Sequence, residues 1–548
     1  VVSAAEEGSL LLVGEPGAGK SAVVNSAASK LRSQGHEVLE FAVDRLPVET
    51  SDGLCRELNI SHSLYDVLRN WPGREPAYLF IDALDATRGG ASERVFRNLI
   101  SDVLSLPDGR WRVVASIRTF DLRLGEEYRR QFRGKPPAEN YVDRSFSAVR
   151  HLLIPSWTER ELAELLQKAP TLDTALSKGG DRLRQLALVP FNTRLLADLI
   201  TGGIEPSDFG EVGSQVQLLA LYWRHRVEKH GAGAELCLHA TVAQMIEQRN
   251  LQAERIIGAK PDPTAFGELL HDNVLVPHGT RFVAFRHHIL FDYAASRVFL
   301  NPHDLAATAK VLKRDKGAGL LLGPALAYAL QELWSESYPD RTAFWNAVVE
   351  LSGDSECDPV ARSVSARTAA ELPSERRDFK GLIAAFLVTG GDAAKVSAAV
   401  GNVIGSLSVR LEDKQSLFLD PWCALASGLS AHVGDVAWAL RTLLFHLVDR
   451  AETPQQLSEL GTAARCLFEH AYGKSALSQM MSAAVGFVAD TYASDDSASR
   501  NLLRSLFETD HLQKYGDVEV PWLARKLKPI ATIDPDFVRE VYARTFAA

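Results

Sequence analysis

Short apolar runs alternate with helix-compatible stretches over residues 10–150. Each run consists mostly of apolar or β-branched residues, which is typical of strands buried on both faces of a parallel sheet. The stretches between the runs would supply the helical connections that parallel strands need. The pattern predicts a three-layer α/β domain over residues 1–155, with strands at Leu10–Val13, Val38–Val43, Tyr78–Ile81, Arg112–Ile117 and Leu152–Ile154.

After the fifth predicted strand the apolar residues follow a helical period. Thr158 and Glu161 have the spacing of a capping box, which predicts that a helix begins here. A small helical domain is expected over residues 156–205. Further along, the apolar runs within Val274–Phe285 predict a β-hairpin, and a helix is expected after it at Ile289–Leu300. A hairpin followed by a helix is similar to a winged helix, which we assign to residues 206–302.

The sequence of residues 303–548 predicts helices throughout. Helical stretches recur without a strict period, and Asp358-Pro359 and Asp534-Pro535 each have the composition of a helix start. Stacked helical hairpins of this kind predict an α-solenoid, a fold that presents a long concave surface to a partner. We expect this region to be a helical-repeat sensor, whole or in part.

Composition and charge narrow the classes of function. The chain has 548 residues and a net charge of −9, so nothing suggests a protein that broadly coats nucleic acid or anionic lipid. Its five cysteines form no C-x-x-C pair, which suits a reducing cytoplasm. The uncharged stretch Gly317–Gln331 contains Pro324 and is too short to span a bilayer, so we expect a buried helix and no membrane partner. Since the chain begins at Val1 without a signal-peptide pattern, we expect further sequence before it.

One glycine-rich stretch follows the first predicted strand and precedes a predicted helix. It reads Gly14-Glu15-Pro16-Gly17-Ala18-Gly19-Lys20-Ser21 and fits the phosphate-binding pattern GxxxxGK[ST]. Glycines let the backbone amides wrap a polyphosphate, the lysine can reach the β- and γ-phosphates, and the serine hydroxyl can ligate Mg²⁺. An ordinary glycine-rich turn is the alternative. The strand and helix around it favour nucleoside-triphosphate binding, with contacts from Gly14, Pro16, Gly17, Ala18, Gly19, Lys20, Ser21 and Ala22.

Charged residues follow two more of the predicted strands. Asp82 ends the third strand, where a carboxylate can hold the Mg²⁺ shell, and Asp85 could orient or deprotonate an attacking water. Arg118 follows the fourth strand and could reach the γ-phosphate. The alternatives are turn-favouring aspartates and a solvated arginine. The arginine-rich segment 118–150 is typical of a solvated face; a surface that touches a neighbouring subunit or nucleic acid is the other interpretation.

Taken in order, these segments resemble a STAND-class P-loop ATPase with a NACHT-like nucleotide-binding domain. The resemblance covers about the first 300 residues. It implies that Arg118 senses the γ-phosphate, that Pro190 packs against adenine, and that His287 contacts the β-phosphate of ADP. Where the family usually has Gly and Glu, this chain has Ala83 and Ala86, which implies slow, regulatory hydrolysis. The matching segments are Gly14–Ser21, Phe80–Asp85, Ala115–Arg118, Val189–Phe191 and Phe285–Ala295.

The resemblance also implies a function for the chain. Family members are switches in which a sensor binds its ligand, ATP replaces ADP, and the protein self-associates to activate an effector. A bacterial antiphage role is the nearest parallel, with a phage protein as the ligand and the effector outside this chain. Two alternatives remain open: an AAA+-like motor or loader acting on nucleic acid or protein, and a STAND-type transcription regulator. The acidic net charge does not indicate nucleic-acid binding.

Overall fold

The computed structural model describes residues 1–46, 48–87, 90–107, 109–301, 304–315, 317–387, 392–412, 417–508 and 523–546. These residues form two compact units. The first comprises Val1–Asn301 and Gly317–Tyr328, and the second comprises Pro302–Lys316 and Ala329–Ala548. The predicted boundary at 302/303 falls on residues outside the described ones, and the finer boundaries within the first unit stay predictions.

A five-stranded, all-parallel sheet lies at the centre of the first unit, with the strand order β2-β3-β4-β1-β5. All five predicted strands are confirmed, with ends shifted by one residue at most. β1 is buried along its full length, as expected for a strand between two neighbours and two helical layers. The strands are β1 (Leu10–Gly14), β2 (Glu37–Ala42), β3 (Ala77–Asp82), β4 (Trp111–Arg118) and β5 (His151–Leu153).

The register of the sheet brings the candidate residues to one edge. β1 pairs with β4 so that Gly14 lies beside Arg118 at their carboxyl ends. β3 pairs with β4 on its other side, with Ile81 opposite Ala115. Asp82 therefore leaves the sheet next to the strand that ends in Arg118, at the same edge as the glycine-rich loop.

Before Asn301, the described part of the first unit contains fifteen α-helices. The predicted helix after the glycine-rich loop is present, and so is the capping box at Thr158 and Glu161. The helices are α1 (Val2–Glu7), α2 (Lys20–Ser33), α3 (Ser51–Glu57), α4 (Leu64–Arg69), α5 (Ala91–Leu104), α6 (Thr119–Leu124), α7 (Glu126–Gln131), α8 (Glu159–Leu166), α9 (Pro170–Ala187), α10 (Pro190–Thr201), α11 (Gln215–Arg226), α12 (Ala232–Gln248), α13 (Arg255–Ala259), α14 (Pro263–His271) and α15 (His288–Val298).

A small antiparallel sheet precedes α15. The predicted hairpin is present as β7 (Leu275–His278) and β8 (Phe282–Phe285). A third strand, β6 (Gln252–Glu254), pairs with β8 and was not predicted, because three residues are too few to show an alternating pattern. Through β8 this sheet leads directly into α15, which carries several of the residues described below.

The described part of the second unit is helical and contains no strand. Helices α18–α26 pack mainly on helices one to three places away in the sequence. Asp358 and Asp534 cap helix starts, as predicted. The helices after α15 are α16 (Leu305–Arg314), α17 (Ala318–Glu336), α18 (Thr342–Ser352), α19 (Pro359–Glu371), α20 (Lys380–Ala385), α21 (Ala393–Glu412), α22 (Leu419–Leu429), α23 (Val433–Leu447), α24 (Pro454–Ala471), α25 (Ser478–Asp490), α26 (Asp496–Glu508), α27 (523–533) and α28 (Pro535–Phe546).

Within the described ranges, every helix is too short or too polar to cross a bilayer. The uncharged stretch around Pro324 is part of α17, where Leu321, Leu322, Ala325 and Leu326 are buried. The expectation of a buried helix is therefore confirmed.

Candidate functional site

The loop from Gly14 to Ser21 connects β1 to α2 at the carboxyl edge of the sheet. Gly17 and Gly19 have φ angles of 79° and 93°, a left-handed conformation that favours glycine. A Cβ atom at Gly17 would also lie 2.6 Å from the Phe191 Cβ. Both glycines are therefore required by the backbone. Pro16, before Gly17, is half-buried, and Ala18, between the two glycines, is buried.

Lys20, the first residue of α2, folds its side chain back under this loop. Its Nζ donates hydrogen bonds to the carbonyl oxygens of Gly14 at 2.9 Å and Glu15 at 3.0 Å. Burial lowers the pKa of Lys20; the Asp85 charge opposes this shift, and the charge of Arg118 adds to it. The ammonium group donates to neutral carbonyl oxygens of the loop, so the oxygens of an anion could replace them as hydrogen-bond partners.

Helix α10 begins directly on the loop. Its first residue, Pro190, lies against Gly19, and the backbone N–H of Phe191 donates to the Gly17 carbonyl at 3.1 Å. Proline suits this position because the first N–H of a helix has no partner within the helix. A segment about 170 residues away along the chain is thereby hydrogen-bonded to the loop.

His287, immediately before α15, packs against Phe191. Its ring packs on that of Phe191 with centroids 4.4 Å apart, and its Nδ1 accepts from the Ile289 N–H at 3.4 Å as the helix cap. Burial, followed by the charges of His288, Arg118 and Arg194, lowers the pKa of His287 to about 3. The ring is therefore neutral near pH 7, and because Nδ1 is the acceptor, Nε2 carries the hydrogen and can donate.

The lowered pKa of His287 predicts a pH dependence. Unfolding raises this pKa towards its usual 6.5, so the stabilising contribution is complete above pH 6.5 and is lost as the pH falls towards 3. Between pH 7 and pH 5, the opening free energy of α15 should fall by about 2 kcal/mol more in the wild type than in His287→Asn. Native-state hydrogen exchange measures this difference, and asparagine keeps a good helix cap. Equal slopes for the two proteins would contradict the prediction.

Asp82, the last residue of β3, has two hydroxyl groups around its carboxylate. Ser116 Oγ donates to its Oδ1 at 2.5 Å, and the Ser21 hydroxyl is a second hydrogen-bonding partner. Burial raises the pKa of Asp82, and the like charges of Asp85 and Asp44 add to that shift. A buried carboxylate beside the Ser21 hydroxyl provides the oxygen ligands that suit a hard divalent cation.

The donor set also matches what Mg²⁺ needs beside a nucleotide. Within the described residues, His, Cys, Asp and Glu form no group of three or more that could hold a metal ion. Magnesium in nucleotide sites takes only one or two protein oxygens, and phosphates and waters complete its shell. Ser21 and Asp82 are therefore sufficient as the protein's share.

Ala83 follows Asp82 with a φ angle of 60°, and its N–H donates to Ser116 Oγ at 2.8 Å. The left-handed conformation costs a non-glycine residue about 1–2 kcal/mol. Ala83→Gly should therefore raise the free energy of unfolding by about 0.5 kcal/mol, after the extra entropy of glycine in the unfolded chain is subtracted.

The neighbouring Ala86 provides a matched control for this substitution. It is buried and has no positive φ, so Ala86→Gly should lower stability by about 0.5–1 kcal/mol. Urea denaturation of the two variants measures both changes in the free energy of unfolding. A loss of stability in Ala83→Gly would show that the backbone is not strained there.

Arg118, at the end of β4, is held between two buried carboxylates. Its Nε lies 2.6 Å from Asp85 Oδ2, and its Nη1 lies 3.0 Å from Oδ2 of Asp292, which is on α15. Burial would raise the pKa of Asp85, yet the charges of Arg118, Lys20 and His288 bring it well below its usual range. In this conformation Asp85 is a weak base, and its predicted catalytic role stays a prediction.

His288 contacts a different set of residues from His287. Its Nε2 lies 3.6 Å from Asp44 Oδ2, and its Nδ1 lies 3.9 Å from Asp85 Oδ2. Burial would lower the pKa of His288, but the nearby carboxylates of Asp44 and Asp85 raise it above its usual value. The start of α15 therefore contacts Phe191 through His287 and the acidic sheet edge through His288.

A pocket of about 450 Å³ lies beside the loop. Its volume is within the range of about 300–1,000 Å³ that is usual for small-molecule sites. Pro190 and Ala22 form part of its wall, and Tyr141 and Trp157 contribute aromatic rings. The Glu161 carboxylate, which also lines it, already accepts from the Thr158 N–H and hydroxyl.

Several residues of the site were not predicted from the sequence. Ser116 and Asp292 lie within segments that carry the family resemblance, but no chemical role was assigned to them. Phe191 follows Pro190, and its role depends on packing against Gly17. For His288, the sequence showed only two adjacent histidines. It could not show which of the two rings packs on Phe191.

A scan against protein-family models found no family that matches this chain, and a search of curated proteins found no matching sequence.

Proposed function

We propose that this chain is an ATP/ADP-dependent molecular switch of the STAND class. The observation that carries the proposal is the convergence of α10 and the start of α15 on the Gly14–Ser21 loop. Phe191 hydrogen-bonds to Gly17, and His287 packs on Phe191. A nucleotide held by the loop would therefore contact three segments that are far apart in sequence, and its identity could control how they pack.

Different groups of the loop and of its neighbours would make different contacts with the phosphates. Backbone N–H groups of the loop and the first turn of α2 would donate to the phosphate oxygens, and Lys20 would exchange its carbonyl partners for them. Ser21 and Asp82 would hold Mg²⁺, which neutralises phosphate charge. His287, neutral and protonated at Nε2, would donate to the terminal phosphate of a diphosphate.

The adjacent pocket would hold the nucleoside. Tyr141, Trp157 and Pro190 offer flat or apolar surface of the kind that packs on a purine base. The preference for adenine over other bases rests on the family resemblance.

Switching is favoured over continuous turnover by the state of Arg118 and Asp85. A motor needs a free cation at the γ-phosphate and a free base, whereas here these two side chains pair with each other. The consecutive packing of α18–α26 supports a helical-repeat sensor for a protein ligand. By resemblance, ATP would drive self-association in a cytoplasmic antiphage system, with an effector outside this chain.

The proposal is tested by the fate of bound nucleotide in the full chain. The wild type should retain ADP through gel filtration and hydrolyse ATP slowly. His287→Ala removes one hydrogen bond to a charged group, so ADP should dissociate at least 10-fold faster. Fluorescent-ADP chase experiments measure the rate. Sustained, fast turnover without retained ADP would favour an AAA+-like motor, and an unchanged ADP release rate in His287→Ala would refute the role of His287.

A further inference from the structure

Arg118 is the point at which the sheet edge and α15 are held together by charge. Its side chain is 4% exposed, and it pairs with Asp85, which is 5% exposed, and with Asp292, which is 1% exposed. One guanidinium therefore pairs with two buried carboxylates. A third anion brought to it would compete with these carboxylates for its positive charge.

The two carboxylates differ in how they are attached. Asp85 lies in the turn directly after β3 and also contacts His288. Asp292 comes from α15, 174 residues away from Arg118 along the chain. Asp85 thus follows a strand of the same sheet as Arg118, whereas Asp292 belongs to a helix outside that sheet.

A terminal phosphate on the Gly14–Ser21 loop would lie close to this cluster. Gly14 is paired in register with Arg118, and Lys20 lies close enough to Arg118 and Asp85 to interact electrostatically with both. The other charged groups around the cluster are His288, Asp82, Asp44 and Asp121. A third phosphate would bring further negative charge towards Asp85 and Asp292.

We propose that Asp292 competes with the γ-phosphate for Arg118 and so sets a preference for a nucleoside diphosphate over a triphosphate. The inference rests on the proposed function, since it requires that the loop bind nucleotide. A diphosphate leaves the Arg118–Asp292 pair intact. A triphosphate must displace Asp292 from Arg118, and the displaced carboxylate loosens α15 from the sheet edge.

Asp292→Asn tests this competition, because asparagine keeps the shape and a hydrogen-bond acceptor but removes the charge. Affinities for Mg·ADP and for Mg²⁺ with the non-hydrolysable β,γ-imido analogue of ATP are measured by calorimetry on the full chain. The triphosphate affinity, relative to that for ADP, should rise by about 10-fold, which corresponds to about 1.4 kcal/mol. Glu228→Gln is the matched control: Glu228 pairs with Arg297 at the other end of α15, and its loss should leave the ratio unchanged.

A second measurement on the wild type does not depend on the variant's folding. Hydrogen exchange of the α15 amides should be at least several-fold faster with the triphosphate analogue than with ADP. Equal exchange, or an unchanged affinity ratio in an Asp292→Asn protein that binds both nucleotides, would overturn the inference alone. Wild-type protein that binds neither nucleotide would overturn the proposed function and the inference with it.

Discussion

Arg118→Met should lower the free energy of unfolding of the first unit by about 3–5 kcal/mol, the usual cost of removing one partner from a buried ion pair. The methionine keeps most of the volume but leaves Asp85 and Asp292 buried without their cation. Burial would then raise the pKa of both carboxyl groups, so the loss should be smaller at acid pH, where they can take up protons. Urea denaturation at pH 7 and pH 5 measures both effects.

Arg130→Met is the control for Arg118→Met. Arg130 also pairs with a carboxylate, Glu126, but its side chain is 65% exposed. Exposed ion pairs contribute about 0–1 kcal/mol, so this variant should have nearly wild-type stability. If Arg118→Met lowered the free energy of unfolding by less than about 1 kcal/mol, water or another cation would have to compensate the two carboxylates. That result would contradict the prediction.

Lys20→Met should weaken ADP binding at least about 100-fold, because a lysine ammonium makes charge-assisted hydrogen bonds to phosphate in a partly buried site. The change should leave the fold intact, since the partners that Lys20 loses are two carbonyl oxygens of the loop next to solvent. Calorimetric titration with Mg·ADP measures the affinity, and circular dichroism checks the helix content.

Lys30→Met is the matched control for Lys20→Met, since Lys30 is exposed near the other end of the same helix. The Lys30→Met variant should bind ADP with the same affinity as the wild type. If Lys20→Met bound ADP within about 3-fold of the wild-type affinity, a difference of less than about 0.7 kcal/mol, the ammonium would have no role in the site.

The parallel sheet could be predicted because its strands are short, mostly apolar and separated by helical stretches. Gly14–Ser21 and Asp82 could be placed at one edge for the same reason, since parallel strands end on the same side. These features can be recognised from the local order of residues and from the spacing of apolar residues along the chain. The strand β6 could not be predicted, because it is defined by its pairing with β8 and not by its own three residues.

The partners of the candidate residues could not be predicted either. The pairing of Arg118 with Asp292 joins residues 174 positions apart, and no spacing rule connects them. The sequence offered Arg118 as a free sensor or a solvated side chain, and the structure places it in a buried ion pair. The left-handed conformation of Ala83 was likewise hidden, because alanine gives no sign of a positive φ.

Nucleotide binding at the Gly14–Ser21 loop is the claim on which the switch depends. Its most direct test is to purify the full chain without added nucleotide, denature it, and quantify the released nucleotide by anion-exchange chromatography. We expect close to one ADP per wild-type chain and almost none from Lys20→Met. Wild-type protein that releases no nucleotide and shows no saturable binding of added Mg·ADP or Mg·ATP would contradict the claim.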